Sequence, residues 1–288
     1  MHNMNPLRLV LFVLVTASIS APAFAQSDFS GEWAPRFWED QPERVPGPEL
    51  GDYLGIPIND AARQRAIAWD ASIQTLNEWQ CRPHSADYIW RGPSNLKITK
   101  EVDPVSREVV AFHAEWLRSV DRPVYLDGRP HPSANAPHTW AGFSTGKWEG
   151  EMLTITTTHL KEGYLRRNGV PASDLRTFTE YLMRRDNGYL TWVVIIDDPV
   201  YLTEPLIRTA DFLWDPYRRV DAAPCVESEE EIRAGDAAGF VPHFLPGANP
   251  YIDEFAIDHG LPIEATRGGA ETMHPDYRSK MPAMKKNP

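Results

Sequence analysis

Hydrophobic and polar residues alternate along several short segments between residues 88 and 215, and this two-residue period constrains the fold most strongly. The alternation is clearest in residues 107–116, 151–160, 176–184 and 190–198. Such a period is typical of a β-strand that has one face buried and the other exposed. We therefore predict at least four β-strands in this part of the chain.

Short turn sequences separate the alternating segments. They are Asp127-Gly128, Asn168-Gly169, Asp186-Asn187-Gly188 and Asp198-Pro199. These sequences are typical of connections between antiparallel neighbours, and the segments lack the helix-length spacers that a parallel sheet needs. Because closure of a sheet removes its exposed edges, we predict a mainly β fold in which an antiparallel sheet forms a barrel or a strongly curved sheet.

Two flanking segments complete the predicted organisation. Residues 58–79 carry apolar side chains at spacings of three and four, which predicts one N-terminal helix. Residues 226–288 are acidic and rich in proline and glycine, which predicts a long irregular tail packed on the barrel, with one short helix near 252–258. Residues 26–225 are accordingly predicted to be a single β-barrel domain that includes the helix.

Residues 1–25 have the features of a secretory signal peptide. Arg8 precedes an apolar run over residues 9–15, and the small-residue sequence Ala23-Phe24-Ala25 follows that run. The run is too short to span a bilayer, and no later segment is long and apolar enough to do so. We therefore predict a periplasmic or secreted protein that begins at Gln26 and has no integral membrane span.

The charge and the cysteine count narrow the possible partners and the compartment. The 288 residues include 40 acidic and 29 basic residues, which gives a net charge of -11. A chain of this charge lacks the basic surface that attracts nucleic acid or anionic lipid, so nucleic acid is not an expected partner. In an oxidising compartment Cys81 and Cys225 are predicted to form a disulfide, with two buried free thiols as the alternative.

The sequence lacks the common metal and nucleotide motifs. Its nine histidines form no His-Glu-x-x-His or His-x-His pattern, and there is no Cys-x-x-Cys, Gly-x-Gly-x-x-Gly or Walker loop. Gly142-Phe143-Ser144-Thr145-Gly146 has the letters of the Gly-x-Ser-x-Gly turn of serine hydrolases, but it lies among predicted strands without the strand-turn-helix context of that turn, so we do not expect a serine hydrolase. We expect no cofactor and no metal, although histidines from separate strands can converge on a metal ion.

Two resemblances accompany these patterns. Residues 140–151, followed by Leu153 and a threonine-rich strand, resemble a large group of exported, mostly uncharacterised bacterial proteins with a W-x-G-x-S-x-G-x-W-E-G-[DE]-x-L core. This resemblance implies export but no particular reaction. Separately, Gly31-Glu32-Trp33 is similar to the Gly-x-Trp sequence at the start of lipocalin-type barrels, which implies a lipocalin-like fold.

Ionisable residues that share the parity of buried apolar residues are the best candidates for chemistry. His159 has the parity of Leu153 and Ile155. Glu180 likewise alternates in phase with its apolar strand neighbours. Two ionisable groups inside an apolar barrel must pair, bind water or serve a ligand, because burial of an isolated charge is costly. We predict that His159 and Glu180 line a common pocket with Tyr125 and at least one of His113 or His131.

Two functional hypotheses follow. The first is a cofactor-independent acid-base enzyme, that is a lyase, hydratase, dehydratase or isomerase, that acts on a hydrophobic or aromatic small molecule. Its candidate catalytic residues are His113, His131, His159, Glu180 and Asp198, and its candidate substrate-binding residues are Tyr125, Arg129, Trp140 and Trp192. The second is a periplasmic small-molecule binding or carrier barrel without catalysis. Each of these residues also has a structural alternative, as a solvated strand end, a turn residue or part of the core.

Overall fold

A computed structural model provides the coordinates of the protein. It describes residues 26–36, 47–70, 73, 77–92, 94–116, 120–218, 225–226, 244–245 and 247–281. The predicted signal peptide, residues 1–25, lies outside the described residues, as does much of the predicted tail between residues 227 and 243.

The described residues form eleven β-strands, nine of which close into a barrel. The strands are β1 Gly31–Pro35, β2 Leu96–Val102, β3 Val109–Glu115, β4 Arg122–Tyr125, β5 Phe143–Glu149, β6 Met152–Thr158, β7 Gly163–Tyr164, β8 Pro171–Ala172, β9 Thr177–Arg184, β10 Tyr189–Asp197 and β11 Leu206–Trp214. The order around the barrel is β1-β11-β10-β9-β6-β5-β4-β3-β2, while β7 and β8 form a separate two-stranded sheet. The prediction of a mainly β fold with a closed barrel is confirmed.

The alternating pattern selects which side chains fill the barrel. In β10 the four apolar residues of one parity, Leu190, Trp192, Val194 and Ile196, are all buried. Apolar residues of the neighbouring strands pack against them in one continuous core. Burial of each large apolar side chain contributes about 1.5–3 kcal/mol, so the phase of the alternation fixes which face of each strand points inward.

One strand pairing differs from the predicted antiparallel arrangement. β4 and β5 are parallel, with Val124 beside Ser144 and Tyr125 beside Thr145. The other eight pairings around the barrel are antiparallel. The prediction was wrong at this position because the Asp127-Gly128 turn does not close a hairpin. It opens a crossover over residues 126–142 that brings the chain back to run in the same direction.

The helices are short and lie outside the barrel strands. They are α1 Asp60–Ile67, α2 Asn77–Gln80, α3 Glu254–His259, α4 Ile263–Thr266 and α5 Pro275–Lys280, with 3-10 helices at Ala86–Tyr88 and Ala270–Met273. The predicted helix over 58–79 is therefore too long. α1 begins after Asn59, whose side chain accepts a hydrogen bond from the backbone N–H of Ala62 at 3.0 Å.

Contacts with the C-terminal part of the chain explain why α1 stops early. The backbone N–H of Phe244 donates to the carbonyl of Ala68 at 3.2 Å, and Asn249 Nδ2 donates to the carbonyl of Trp69 at 3.0 Å. These carbonyls would otherwise accept hydrogen bonds from the next helical turn, so the tertiary contacts replace helical ones. α3 lies close to the short helix predicted near 252–258.

The disulfide prediction is confirmed. Cys81 and Cys225 are bonded, with their Cα atoms 5.7 Å apart and a sequence separation of 144. The bond joins the residue that follows α2 to the segment that follows β11. Among the described residues, no helix has the length and apolar character needed to cross a membrane.

Candidate functional site

A buried ion pair occupies the barrel interior together with the apolar core. Glu180 on β9 and Arg122 on β4 are both completely buried. Arg122 donates to both carboxylate oxygens of Glu180, with Nη1 3.2 Å from Oε1. Its Nε also donates to Ser144 Oγ at 3.1 Å, and its Nη2 donates to Thr157 Oγ1 at 2.6 Å. Burial raises the pKa of Glu180, and the charge and hydrogen bonds of Arg122 oppose that rise.

Glu180 faces inward, as its parity predicts, but it meets an arginine instead of the predicted histidines. The ring of Trp90 lies over the Arg122 guanidinium at 4.7 Å and also contacts the core residue Trp192. The Trp90 ring therefore covers the guanidinium of the buried ion pair. Sequence analysis missed Arg122 because β4 has only four residues, too few to show a reliable alternation.

His159 does not enter the barrel, which corrects the predicted common pocket. The inward parity of β6 holds through Thr157, which is fully buried, but the strand ends at Thr158. His159 then has a φ of 58°, in the left-handed region, so its side chain departs from the strand alternation. Its ring lies outside the barrel, where Nε2 contacts the carbonyl oxygen of Ser133 at 2.9 Å.

Four of the predicted site residues gather on the outer face of β4, β5 and β6. The Arg129 guanidinium lies 3.7 Å from the centre of the Tyr125 ring. Tyr125 and His131 both pack against Phe143, with ring centres 5.4 and 5.3 Å from it, and His159 contacts the same threonine as His131. We call Tyr125, Arg129, His131 and His159 the outer histidine cluster.

A chain of hydrogen bonds fixes the two histidine rings of this cluster. The distances are 2.8 Å from Thr145 Oγ1 to His131 Nε2, 2.8 Å from His131 Nδ1 to Thr158 Oγ1, and 2.7 Å from Thr158 Oγ1 to His159 Nδ1. Because the Ser133 carbonyl can only accept, His159 must donate from Nε2, and a neutral His159 then accepts from the Thr158 hydroxyl. Thr158 in turn accepts from His131 Nδ1, which leaves Nε2 of a neutral His131 as an acceptor facing Thr145. Burial lowers the pKa of His131, and His159 lowers it further.

His113 lies apart from this cluster, on the outer face of β3. Its Nδ1 is 2.8 Å from Asp121 Oδ2, and its Nε2 is 3.4 Å from Glu101 Oε2. Burial alone would lower the pKa of His113, but the hydrogen bond and charge of Asp121, with help from Glu101, outweigh that effect and raise it. His113 is therefore held in a surface ion pair and joins no pocket with Glu180 or His159.

Asp198 has a structural position at the end of β10. It is fully buried, and its carboxylate accepts hydrogen bonds from Ser173 N and Ser173 Oγ, both at 2.7 Å. It also accepts from the backbone N–H groups of Val200 and Tyr201. These contacts match the structural alternative of a turn residue, because they fix the chain as it leaves the strand.

A cleft of about 850 Å³ lies outside the barrel strands. It is bounded by α1, by Ala68, Trp69 and Ile73, by the segment 79–88 and by the connection that carries β7 and β8. Its aromatic wall consists of Trp69, Trp79, Tyr88, Trp140, Tyr164 and Phe244. We call this site the aromatic cleft. Of the predicted substrate-binding residues, Trp140 lines it, whereas Trp192 is buried in the barrel core.

Close packing holds the aromatic wall in place. The rings of Trp69 and Tyr164 are 4.6 Å apart, and those of Trp79 and Tyr164 are 6.1 Å apart. Gly169 has a φ of 93°, and a Cβ atom there would lie 2.3 Å from Cβ of Trp69. Only glycine allows this approach without a shift of the backbone. Burial raises the pKa of Tyr164 to about 12, so its hydroxyl stays protonated at neutral pH.

The charged residues of the aromatic cleft are predominantly arginines. Arg65, Arg82, Arg166 and Arg167 line it, and Glu162 is the one carboxylate among the described residues of its lining. Arg65 contacts Glu162, and Arg166 contacts Asp52 behind the cleft at 3.2 Å.

No protein-family model, curated protein or solved structure matches the chain. The family resemblance described above therefore stays a prediction. Within the ranges that the structure describes, no three histidine, cysteine, aspartate or glutamate side chains are grouped so as to hold a metal ion.

Proposed function

We propose that this protein binds or carries a hydrophobic or aromatic small molecule, and that the aromatic cleft is its binding site. The observation that supports the proposal is the size and lining of the cleft. A volume of about 850 Å³ falls within the range of small-molecule sites, which are usually concave, mostly apolar and supplied with a few polar groups. The aromatic faces supply apolar contact area at little cost in side-chain entropy.

The contents of the barrel interior also favour the cleft. In many small barrels the lumen holds the ligand, but here the lumen contains the Arg122–Glu180 pair, its hydroxyl partners and large apolar side chains. A ligand in the lumen would have to displace a hydrogen-bonded ion pair. The cleft requires no such displacement.

We also propose that the protein resides in an oxidising compartment, either the periplasm or the cell exterior. The Cys81–Cys225 disulfide supports this location, because such bonds persist mainly in exported proteins. Cys81 lies directly between Gln80 and Arg82, which both line the cleft. The disulfide therefore contributes to the shape of the proposed site.

A titration with a neutral aromatic compound tests the proposal. We expect 2-acetylnaphthalene to bind saturably and to quench tryptophan fluorescence, with one site per chain by calorimetry. Trp79→Ala should weaken binding by about 5- to 30-fold, because an aromatic contact contributes roughly 1–2 kcal/mol. Trp214→Ala is the matched control, since Trp214 lies on β11 with 57% of its surface exposed.

The control separates loss of the site from loss of the fold. Both variants should keep the circular dichroism spectrum of the wild-type protein. Absence of saturable binding by the wild-type protein, or equal losses in the Trp79 and Trp214 variants, would reject the aromatic cleft as the binding site.

We propose acid-base catalysis at the outer histidine cluster as a second candidate function. The hydrogen-bond chain through Thr158 favours it, because the chain orients His131 with a lone pair on Nε2 toward Thr145. A neutral, oriented imidazole is suited to act as a general base. Tyr125 lies beside Thr145 in the β4–β5 pairing and supplies a hydroxyl for a developing oxyanion, while Arg129, which packs on the Tyr125 ring, is ion-paired with Asp127.

Deuterium exchange at the methyl group of acetophenone in D₂O tests this candidate. We expect the enzyme-dependent rate to rise with pH and to level off above the pKa of His131, because only the neutral imidazole accepts a proton. That pKa is lowered by burial and by His159, so the rate should already be at its plateau near neutral pH. His131→Gln should reduce the rate by about 100-fold, and His113→Gln should leave it unchanged. Exchange no faster than in buffer alone would exclude general-base catalysis of this reaction.

A further inference from the structure

We infer that the molecule bound in the aromatic cleft carries an oxygen atom that accepts a hydrogen bond, such as that of a ketone, an ester or an ether, and that the Tyr164 hydroxyl is the donor. The inference rests on the proposed function and adds the polar group of the ligand. It is carried by the position of Tyr164 and by the kind of polar group that the aromatic wall leaves without a partner.

The Tyr164 ring has a fixed place in the aromatic wall. It packs against two tryptophans, with its centre 4.6 Å from that of Trp69 and 6.1 Å from that of Trp79. Its backbone belongs to the two-stranded sheet of β7 and β8, in which it pairs with Pro171. A side chain that is already held in position loses little conformational freedom when it bonds to a ligand.

The Tyr164 hydroxyl is available to a ligand. It forms no hydrogen bond with any other residue that the structure describes. Tyr164 lines the cleft and is only partly buried, and its oxygen is not one of the polar atoms that the protein encloses. In this respect it differs from the indole N–H of Trp69, which is enclosed. The hydroxyl is therefore a polar group of the wall that a bound molecule can reach.

Electrostatics places this hydroxyl among the residues of the cleft and keeps it protonated. The charges of Arg82, Glu162 and Arg65 act on its titration, and all three residues line the cleft. Burial has the largest effect and raises the pKa of Tyr164 to about 12. At neutral pH the group therefore carries the proton that it needs to donate.

Two other side chains of the aromatic wall also carry donors without a partner. Trp79 and Trp140 line the cleft and are partly exposed, and neither indole N–H has an acceptor among the described residues. By contrast, the Glu162 carboxylate and the Ser85 hydroxyl of the lining already accept hydrogen bonds from arginines. An indole N–H can only donate. This wall therefore favours a ligand that supplies acceptors.

Selectivity follows from the cost of burying an oxygen atom. A carbonyl oxygen that leaves water for an apolar wall loses its hydrogen bonds, and the loss is unfavourable unless the protein replaces them. The Tyr164 hydroxyl can replace one of these bonds within a wall of aromatic rings. A hydrocarbon of the same shape gains nothing from the hydroxyl, so the effect of this group depends on the oxygen of the ligand.

Two matched compounds and one conservative variant test the inference in the full chain by tryptophan fluorescence titration. 2-Acetylnaphthalene has a ketone oxygen, and 2-isopropenylnaphthalene has a methylene group in its place. Tyr164→Phe keeps the ring and removes only the hydroxyl. We expect the variant to bind the ketone about 3- to 10-fold more weakly than the wild-type protein does, and to change the affinity for the hydrocarbon by less than about twofold. Tyr217→Phe, at a position with 95% of its surface exposed, is the matched control and should change neither affinity.

The infrared band of the bound ketone provides a second measurement. A hydrogen bond to the oxygen weakens the C=O bond, so the band should lie at a lower wavenumber in the complex with the wild-type protein than in the complex with Tyr164→Phe. A change of packing alone would alter the affinity without adding or removing a hydrogen bond at the oxygen.

The outcomes separate this inference from the proposed function. If Tyr164→Phe weakens both compounds equally, or leaves the affinity for the ketone or its C=O band unchanged, the inference is wrong while the proposal of a binding site stands. If the wild-type protein binds neither compound saturably, the proposed function itself fails. A loss confined to the ketone, together with the shift of its band, supports both.

Discussion

Replacement of Glu180 by glutamine is expected to lower the free energy of unfolding by about 3–5 kcal/mol. The substitution keeps the shape of the side chain but leaves the fully buried guanidinium of Arg122 without a counter-charge. The hydroxyl groups of Ser144 and Thr157 accept hydrogen bonds from Arg122 but cannot neutralise its charge. Urea unfolding followed by circular dichroism measures the loss.

A paired replacement provides the control for this prediction. The double variant Arg122→Met with Glu180→Leu removes both charges and fills the space with apolar side chains, so it should recover most of the lost stability. A Glu180→Gln variant within about 1 kcal/mol of the wild-type protein would contradict the account of an enclosed ion pair. A double variant as unstable as the single one would show that the loss comes from packing and not from an unpaired charge.

Removal of the disulfide is expected to cost about 2–4 kcal/mol of stability. The bond joins residues 144 positions apart, so its loss frees a long segment of the unfolded chain. The variant Cys81→Ser with Cys225→Ser should show a lower urea midpoint than the oxidised wild-type protein. It should also bind 2-acetylnaphthalene more weakly, because Gln80 and Arg82 line the aromatic cleft on either side of Cys81.

Reduced wild-type protein is the matched comparison for the serine variant. Both should unfold at the same urea concentration, below that of the oxidised protein. Equal midpoints for the oxidised protein and the serine variant would contradict a stabilising role for the bond.

The barrel strands were predictable because the alternation of apolar and polar residues is a local, periodic pattern in the sequence. The burial of Leu190, Trp192, Val194 and Ile196 follows directly from their two-residue spacing. The parallel pairing of β4 with β5 was not predictable in this way. A turn sequence such as Asp127-Gly128 predicts a local change of chain direction, but it does not predict which strand the following segment pairs with.

The candidate sites were only partly predictable, for the same physical reason. Alternation correctly predicts that Glu180 points into the barrel. It fails at His159, because His159 lies just beyond the end of β6 and itself has a positive φ. The aromatic cleft is assembled from irregular segments near residues 65–88 and 162–171, which share no period. Only tertiary packing brings these segments together, so the sequence identified Trp140 and missed the other residues of the cleft.

Photolabelling with 4-benzoylbenzoate tests the central claim, that the aromatic cleft binds an aromatic small molecule, most directly. This compound is an aromatic carboxylate that attaches covalently to the residues around it on irradiation, and peptide mass spectrometry then locates the attachment. We expect the label on residues 77–88 or 162–171, with protection by excess 2-acetylnaphthalene. Labelling confined to the outer face of β4, β5 and β6, or labelling that excess 2-acetylnaphthalene does not reduce, would contradict the account.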